Sequence, residues 1–408
     1  MRKILLSVVS VVMCNCLSAQ NINDNKVSFS YIQLPLIKID DAFTKYEVRV
    51  LHAYLDANKD SIALHEQRKT EAQEKFNQSL LTHQNTCAAI KRSYLTQLAK
   101  WETQYNAGAT TAAGSPISRP SKPNYPPPPT YPVVKPPRLH KEYAEEVVKR
   151  EVKIEGFESG LGGSVLSITI LPIRNIRIVK TKKGSGAATK YRYKCEYVLP
   201  VEIKLETPTQ GPVLERVLLQ DKKTYAMKEY KSQYEFEIYM LDNEQQFYDA
   251  LEVYARKNAI NEVNRFINDQ VGYVDKKRKT EIYSVKKFKN YDYSDVTNAY
   301  SATVQALSLV GNERDRSSAQ DKLEAALKKW EEIMLESNTY DKKARINDKV
   351  SAMIQCNIAE IQIWQSKFNV ANATINLALN SGVLKAKNHA KRMKSYYSSL
   401  EQRWGVNY

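Results

Sequence analysis

The sequence predicts an α+β fold: an antiparallel β-sandwich-like domain with a long helical, proline-rich insertion, followed by an α-helical repeat-like domain. Three observations predict it. From about residue 60 to 105 apolar side chains recur every three or four positions, from 151 to 240 they alternate, and beyond 247 helical spacing returns. The 408 residues suffice for two or three domains, and 42% apolar residues can fill sizeable cores, which excludes a wholly disordered chain.

The first element, 1–19, reads as a signal peptide. Arg2 and Lys3 precede an acid-free apolar run from Ile4 to Leu17, and Leu17-Ser18-Ala19 supplies the small residues wanted before a cleavage at Gln20. Met13 and Asn15 precede Cys14 and Cys16, where a lipid-anchored cysteine wants a small residue. No later stretch approaches eighteen consecutive apolar residues, so no transmembrane helix is expected. The expected location is the periplasm, the outer-membrane surface or the medium. Loss of the leader leaves Cys87, Cys195 and Cys356, an odd set within apolar patterns, read as buried thiols and not a disulfide scaffold.

Residues 20–58 read as N-terminal strands. Val27, Phe29 and Tyr31 alternate with polar or small residues, 46–51 alternates again, and Pro35 lies between. Residues 59–150 read as a long helix, a proline-rich linker and a short helix. Phe76, Leu80, His83, Cys87, Ile90, Tyr94, Leu98, Trp101 and Tyr105 form a near-heptad seam suited to packing on another helix. Asp60 or Ser61 would cap its start and Gly108 would end it, about 70 Å away. Ten of the fifteen prolines then fall within 116–137, which predicts extended chain, read as a semi-rigid spacer in an exposed loop. Tyr125 and Tyr131, set among the prolines, could instead dock on an aromatic groove. Helical signal returns over 141–149.

Residues 151–242 read as an antiparallel β domain. Alternation runs through Leu166, Ile168 and Ile170, through Tyr191, Tyr193, Cys195 and Tyr197, through Val201, Ile203 and Leu205, and through Tyr234, Phe236 and Ile238. Gly184-Ser185-Gly186 and 208–211 offer turns. The N-terminal strands are expected to complete this sheet, which makes 59–150 an insertion. Residues 243–408 read as an α-helical domain that starts with Phe247, Leu251 and Tyr254 and includes a short basic strand at 281–285.

Within that domain Ile358-Ala359, Phe368, Ala371, Ile375 and Ala378 stand at the small and aromatic offsets of a tetratricopeptide repeat, and Ala319, Leu323 and Ala326 echo its second half. The region 299–382 thus resembles degenerate tetratricopeptide-like repeats, with departures at Gln355, Gln362 and Val383. The resemblance implies helical hairpins that bind protein partners, and too few repeats to stand as a free solenoid.

Few residues stand in a pattern that carries chemistry. His65-Glu66 lacks the second His of a zincin helix, and Ser284-Val285-Lys286-Lys287 has no companion motif. Gly160-Leu161-Gly162-Gly163 precedes a strand, the wrong side for a dinucleotide loop, and Asp292 and Asp295 suit a helix start. No catalytic residue, cofactor or metal is implied. The charge is distinctive: 61 Lys and Arg against 45 Asp and Glu, concentrated in 171–194, 271–290 and 381–408. Arg174, Arg177, Lys182, Lys183, Arg192 and Lys194 are the candidate anion-binding residues. For an exported protein they would meet anionic lipid or polysaccharide before nucleic acid. The leading expectation is a non-enzymatic scaffold or accessory protein of an envelope or secretion complex. The alternative is a module for anionic polymer (lipopolysaccharide or nucleic acid) on basic β hairpins, and a hydrolase with an unrecognised site is a third.

Overall fold

Strands form over most of the alternating segments. The computed structural model describes residues 21–184, 190–311 and 316–408. The signal peptide expected at 1–19, and Ser185 and Gly186 of the expected turn, lie outside the described residues. The elements are β1 (Asn21–Gln33), β2 (Lys45–His52), α1 (Ala53–Asn106), α2 (Glu145–Glu151), β3 (Glu158–Ser159), β4 (Ser164–Ile170), β5 (Arg174–Lys183), β6 (Lys190–Val198), β7 (Val201–Thr207), β8 (Gly211–Leu218) and β9 (Lys223–Tyr230). They continue with α3 (Gln233–Gln270), β10 (Val274–Lys287), α4 (Ser294–Leu307), α5 (Arg316–Met334), α6 (Asp348–Trp364), α7 (Phe368–Asn380) and α8 (Leu384–Asn407). The protein is α+β.

One core joins a five-stranded sheet, order β3-β2-β4-β7-β8, to an antiparallel three-stranded sheet, order β5-β6-β9, with α2 and α3. The expected purely antiparallel sheet needs correction, because β2 runs parallel to both β3 and β4. Parallel neighbours need a long crossover, and here α1, the proline stretch and α2 supply it. Gly163 lets that crossover return closely: a Cβ there would lie 1.9 Å from the Lys45 carbonyl oxygen.

The strand expected at 234–238 is the first turn of α3. Ser232 accepts a hydrogen bond from the Glu235 N–H (3.0 Å), and the Glu235 carboxylate accepts one from the Lys231 N–H (2.7 Å), close to a capping box. Phe236 then stacks on Tyr193 with ring centroids 3.6 Å apart. Further along, Phe247, Leu251, Ala255, Ala259, Val263 and Ile267 of α3 pack into the β-sheet core, so this helix belongs with the sheets.

A second correction concerns β1. It pairs with β10 and not with the main sheets, in a two-stranded antiparallel ribbon that runs from Ile22↔Val285 to Gln33↔Val274. The short strand expected at 281–285 is thus 14 residues long. One face of the ribbon, with Val27, Phe29, Tyr31 and Ile282, closes a core with α4, α5 and α6, while Tyr283 joins α6, α7 and α8 in another. Asn357 on α6 exchanges two 2.9 Å hydrogen bonds with the Tyr283 backbone, its amide standing in for a strand neighbour.

Candidate functional site

The most distinctive surface element is an arm made by α1 and the proline stretch. α1 starts at Ala53, earlier than the expected Asp60 or Ser61 cap, and its 54 residues reach about 80 Å. Among the described residues its apolar seam does not meet another helix. The extended chain of 117–140 runs back along it: Trp101 Nε1 donates to the Ile117 carbonyl (3.0 Å), and His83 Nε2 donates to the Pro126 carbonyl (2.9 Å). The Phe76 and Tyr131 rings meet edge to face at 5.2 Å, and Asn58 exchanges two hydrogen bonds with the His140 backbone.

The lengths match. Polyproline chain rises about 3.1 Å per residue, so the step from 117 to 140 covers about 71 Å, while the facing helix from 101 back to 58 covers about 65 Å at 1.5 Å per residue. Ile117, Pro120, Pro123 and Pro129, then Val134, Pro137, Arg138 and His140, are the half-buried positions, and apart from Arg138 they keep close to the threefold repeat of that conformation. The exposed-spacer expectation is therefore corrected: one side of the stretch is seated on α1. Tyr125 and Tyr131 remain about half exposed.

At the base of the arm Glu252 of α3, 2% exposed, gathers four donors: Arg138 Nη2 (3.1 Å), His140 Nδ1 (2.7 Å), the Lys141 N–H (3.1 Å) and Arg256 Nη2 (2.9 Å). Burial alone would push this carboxyl up, but the His140 hydrogen bond, the Arg256 charge and the Arg138 hydrogen bond outweigh it and hold the carboxyl below its ordinary range. Arg256 also donates to the Lys141 carbonyl and lies 4.3 Å over the Tyr54 ring. Both ends of the arm are thereby fastened to α3.

A second buried carboxylate, Glu360 of α6, is fully enclosed by Arg278 (2.6 and 2.8 Å), Thr280 Oγ1 (3.0 Å) and Trp364 Nε1 (3.0 Å). Burial opposes its charge, yet Arg278 wins and brings the carboxyl down to about 2. The Arg278 guanidinium stacks 3.7 Å over Tyr396 of α8, so β10, α6 and α8 are joined at one point. Neither carboxylate was singled out from sequence. For Glu360 the available signal was a lone acid in the apolar run 350–364.

The candidate anion-binding residues lie on the outer hairpin of the three-stranded sheet. Arg174, Arg177, Lys182 and Lys183 on β5 are exposed and make no ion pair among the described residues. On β6, Arg192 pairs with Glu229 and Lys194 with Glu196 at 3.0 Å. The hairpin thus brings the six residues onto one small sheet but leaves only four of them uncommitted.

The candidate packing residues come together on α6 and α7. Ala359, Ala371, Ile375 and Ala378 are 0% exposed in one core, and Phe368 packs at its edge against Tyr397 and Trp404 of α8. Gln362, a departure from the repeat pattern, accepts a hydrogen bond from Thr374 Oγ1 (2.8 Å) across the two helices.

Other residues weighed for chemistry have structural partners. Asp292 accepts from Ser294, Asp295 forms a bidentate pair with Arg345 (2.9 and 2.7 Å), and Ser284 is buried in β10. Cys195 and Cys356 are buried free thiols, raised by burial to about 11 and about 12, whereas Cys87 is only half-buried beside His83. Among the described residues no group of three or more His, Cys, Asp or Glu side chains is placed to hold a metal ion, and no helix is long and apolar enough to cross a membrane.

Fold and surface together define an α+β protein built on a β body, a helix–proline arm and a set of C-terminal helices. No protein-family model, curated protein or solved structure matches the chain.

Proposed function

We propose that this chain is an exported, non-enzymatic scaffold or accessory protein of a bacterial envelope or secretion complex that acts by binding other proteins. The observation that supports this most is the arm. It is tens of ångströms long, its apolar seam is occupied by its own proline stretch, and its base is held by a buried charge cluster. Such a projection contributes reach and orientation, which a scaffold needs and a small-molecule enzyme does not. In this reading the β body is sandwich-like with the arm as its insertion. The α4–α5 and α6–α7 hairpins act as degenerate tetratricopeptide-like repeats that offer a second protein-binding surface.

The exposed Arg174, Arg177, Lys182 and Lys183 favour a second reading, a module that holds anionic lipid or polysaccharide on the β5–β6 hairpin. Affinity capture from envelope extracts, with wild type beside a Lys182→Glu/Lys183→Glu variant, tests the two. The scaffold reading expects the same protein partner with both baits at moderate salt. Loss of the partner from a folded variant rejects it in favour of the basic hairpin.

A further inference from the structure

Two of the basic runs in the sequence, 271–290 and 381–408, meet in space. β10 and α8, with Lys26 of β1, wall a cavity of about 270 Å³ that is partly open to solvent. We propose that this cavity is an oxyanion site that takes a phosphate group, carried by a soluble molecule or a lipid head group. It is separate from the β5–β6 hairpin and does not depend on the scaffold reading.

The cavity is rich in positive charge. Arg278 is committed to Glu360, and Arg392 lies 2.9 Å from Glu281, which also accepts a hydrogen bond from the Tyr283 hydroxyl. Lys26 and Lys279 have no acid partner among the described residues, so the cavity carries two positive charges in excess. The strand register puts them together: Lys26 pairs with Glu281 and Ser28 with Lys279, so both lysines and Glu281 share one face of the ribbon.

An unsatisfied donor or acceptor also faces this site. His389 lines the cavity at 3% exposure, and its Nδ1 has no hydrogen-bond partner. Burial lowers its affinity for protons, so the imidazole is neutral and carries one N–H. A buried polar atom left unpaired is costly, and an anion oxygen in the cavity would satisfy an Nδ1–H. Lysines from two strands, an imidazole from α8 and an arginine able to swing off Glu281 suit a tetrahedral group with several oxygens better than a two-oxygen carboxylate.

Calorimetric titration of the full mature chain with inorganic phosphate at low ionic strength tests the site, with melting temperature as the control for folding. Lys26→Ala/Lys279→Ala should weaken binding roughly tenfold or more. Lys182→Glu/Lys183→Glu should leave it within about twofold, because those residues lie on another sheet, and Glu281→Gln should tighten it by removing a competing negative charge. Co-sedimentation with phosphatidylcholine vesicles containing phosphatidylglycerol identifies the source. Binding that is lost in the Lys26/Lys279 variant and displaced by free phosphate supports a lipid head group. Vesicle binding unaffected by both, with phosphate binding still lost in the variant, supports a soluble phosphate. Absence of phosphate binding by the wild type, or equal binding by the Lys26/Lys279 variant, overturns the proposal.

Discussion

Replacing Glu252 with Gln removes one charge from the fastening of the arm and leaves nearly every atom in place. Gln can still accept from the Lys141 N–H, but Arg256, 3% exposed, loses its only carboxylate partner among the described residues, and Arg138 loses the one it shares. Removing one member of a buried ion pair costs about 3–5 kcal/mol. The lower end applies here, since Arg256 keeps the Lys141 carbonyl and the Tyr54 ring. A loss of about 3 kcal/mol in a cooperative unit of 150–250 residues lowers the melting temperature by about 6–12 °C. Circular dichroism at neutral pH measures it. The double variant Glu252→Gln/Arg256→Met should recover part of the loss, because the uncompensated charge is gone. A change below about 1 kcal/mol in the single variant, with no recovery in the double, would refute a charge-held base.

The remaining predictions follow from the same contacts. Ala371→Leu should cost about 1–3 kcal/mol through overpacking between α6, α7 and α8, while Ala373→Leu on the exposed side of α7 should be near neutral; equal melting temperatures would reject close packing at Ala371. Limited proteolysis should cut first in the exposed tip, 107–115, and leave two fragments that stay associated, since 117–140 is seated on α1. First cuts inside 117–137 would contradict that seating. Because the Glu360 carboxyl is lowered when folded, its contribution to stability is complete above about pH 4.5 and is lost as the pH falls towards about 2, about 3 kcal/mol in all. Acid titration of wild type and Glu360→Gln should show their stability gap closing across that window, and a constant gap would deny the carboxylate its role.

The regular periods were legible and the long-range pairings were not. The seam of α1 and the strands β4, β6 and β7 followed from spacing alone. The partner of that seam did not, because polyproline chain repeats every third residue and four of its eight half-buried positions are prolines, which a hydrophobicity pattern passes over. The alternation at 234–238 outvoted a local cue, Ser232 with Glu235 three residues on, and the capped helix prevailed because Phe236 gains a stacking partner in Tyr193. The β1–β10 pairing joins residues more than two hundred positions apart, beyond any local pattern. Of the candidate sites, the small residues of α6 and α7 were readable because close helix packing demands them. The buried acids were not, since Arg278 and Arg138 look like ordinary surface bases until β10 and the proline stretch carry them to Glu360 and Glu252.

In the proposed function the arm is the element that brings a protein partner to the body. Excising 68–134 and joining 67 to 135 with a short Gly-Ser linker bridges the two chains where they lie side by side, and keeps the Asn58–His140 and Glu252 contacts. Quantitative affinity capture from envelope extracts with this variant, checked for an unchanged melting transition of the body, is the most direct measurement. The partner captured by wild type should be lost or reduced at least about tenfold, a difference of about 1.4 kcal/mol in binding. Full retention of that partner by the folded, armless chain would contradict that role of the arm.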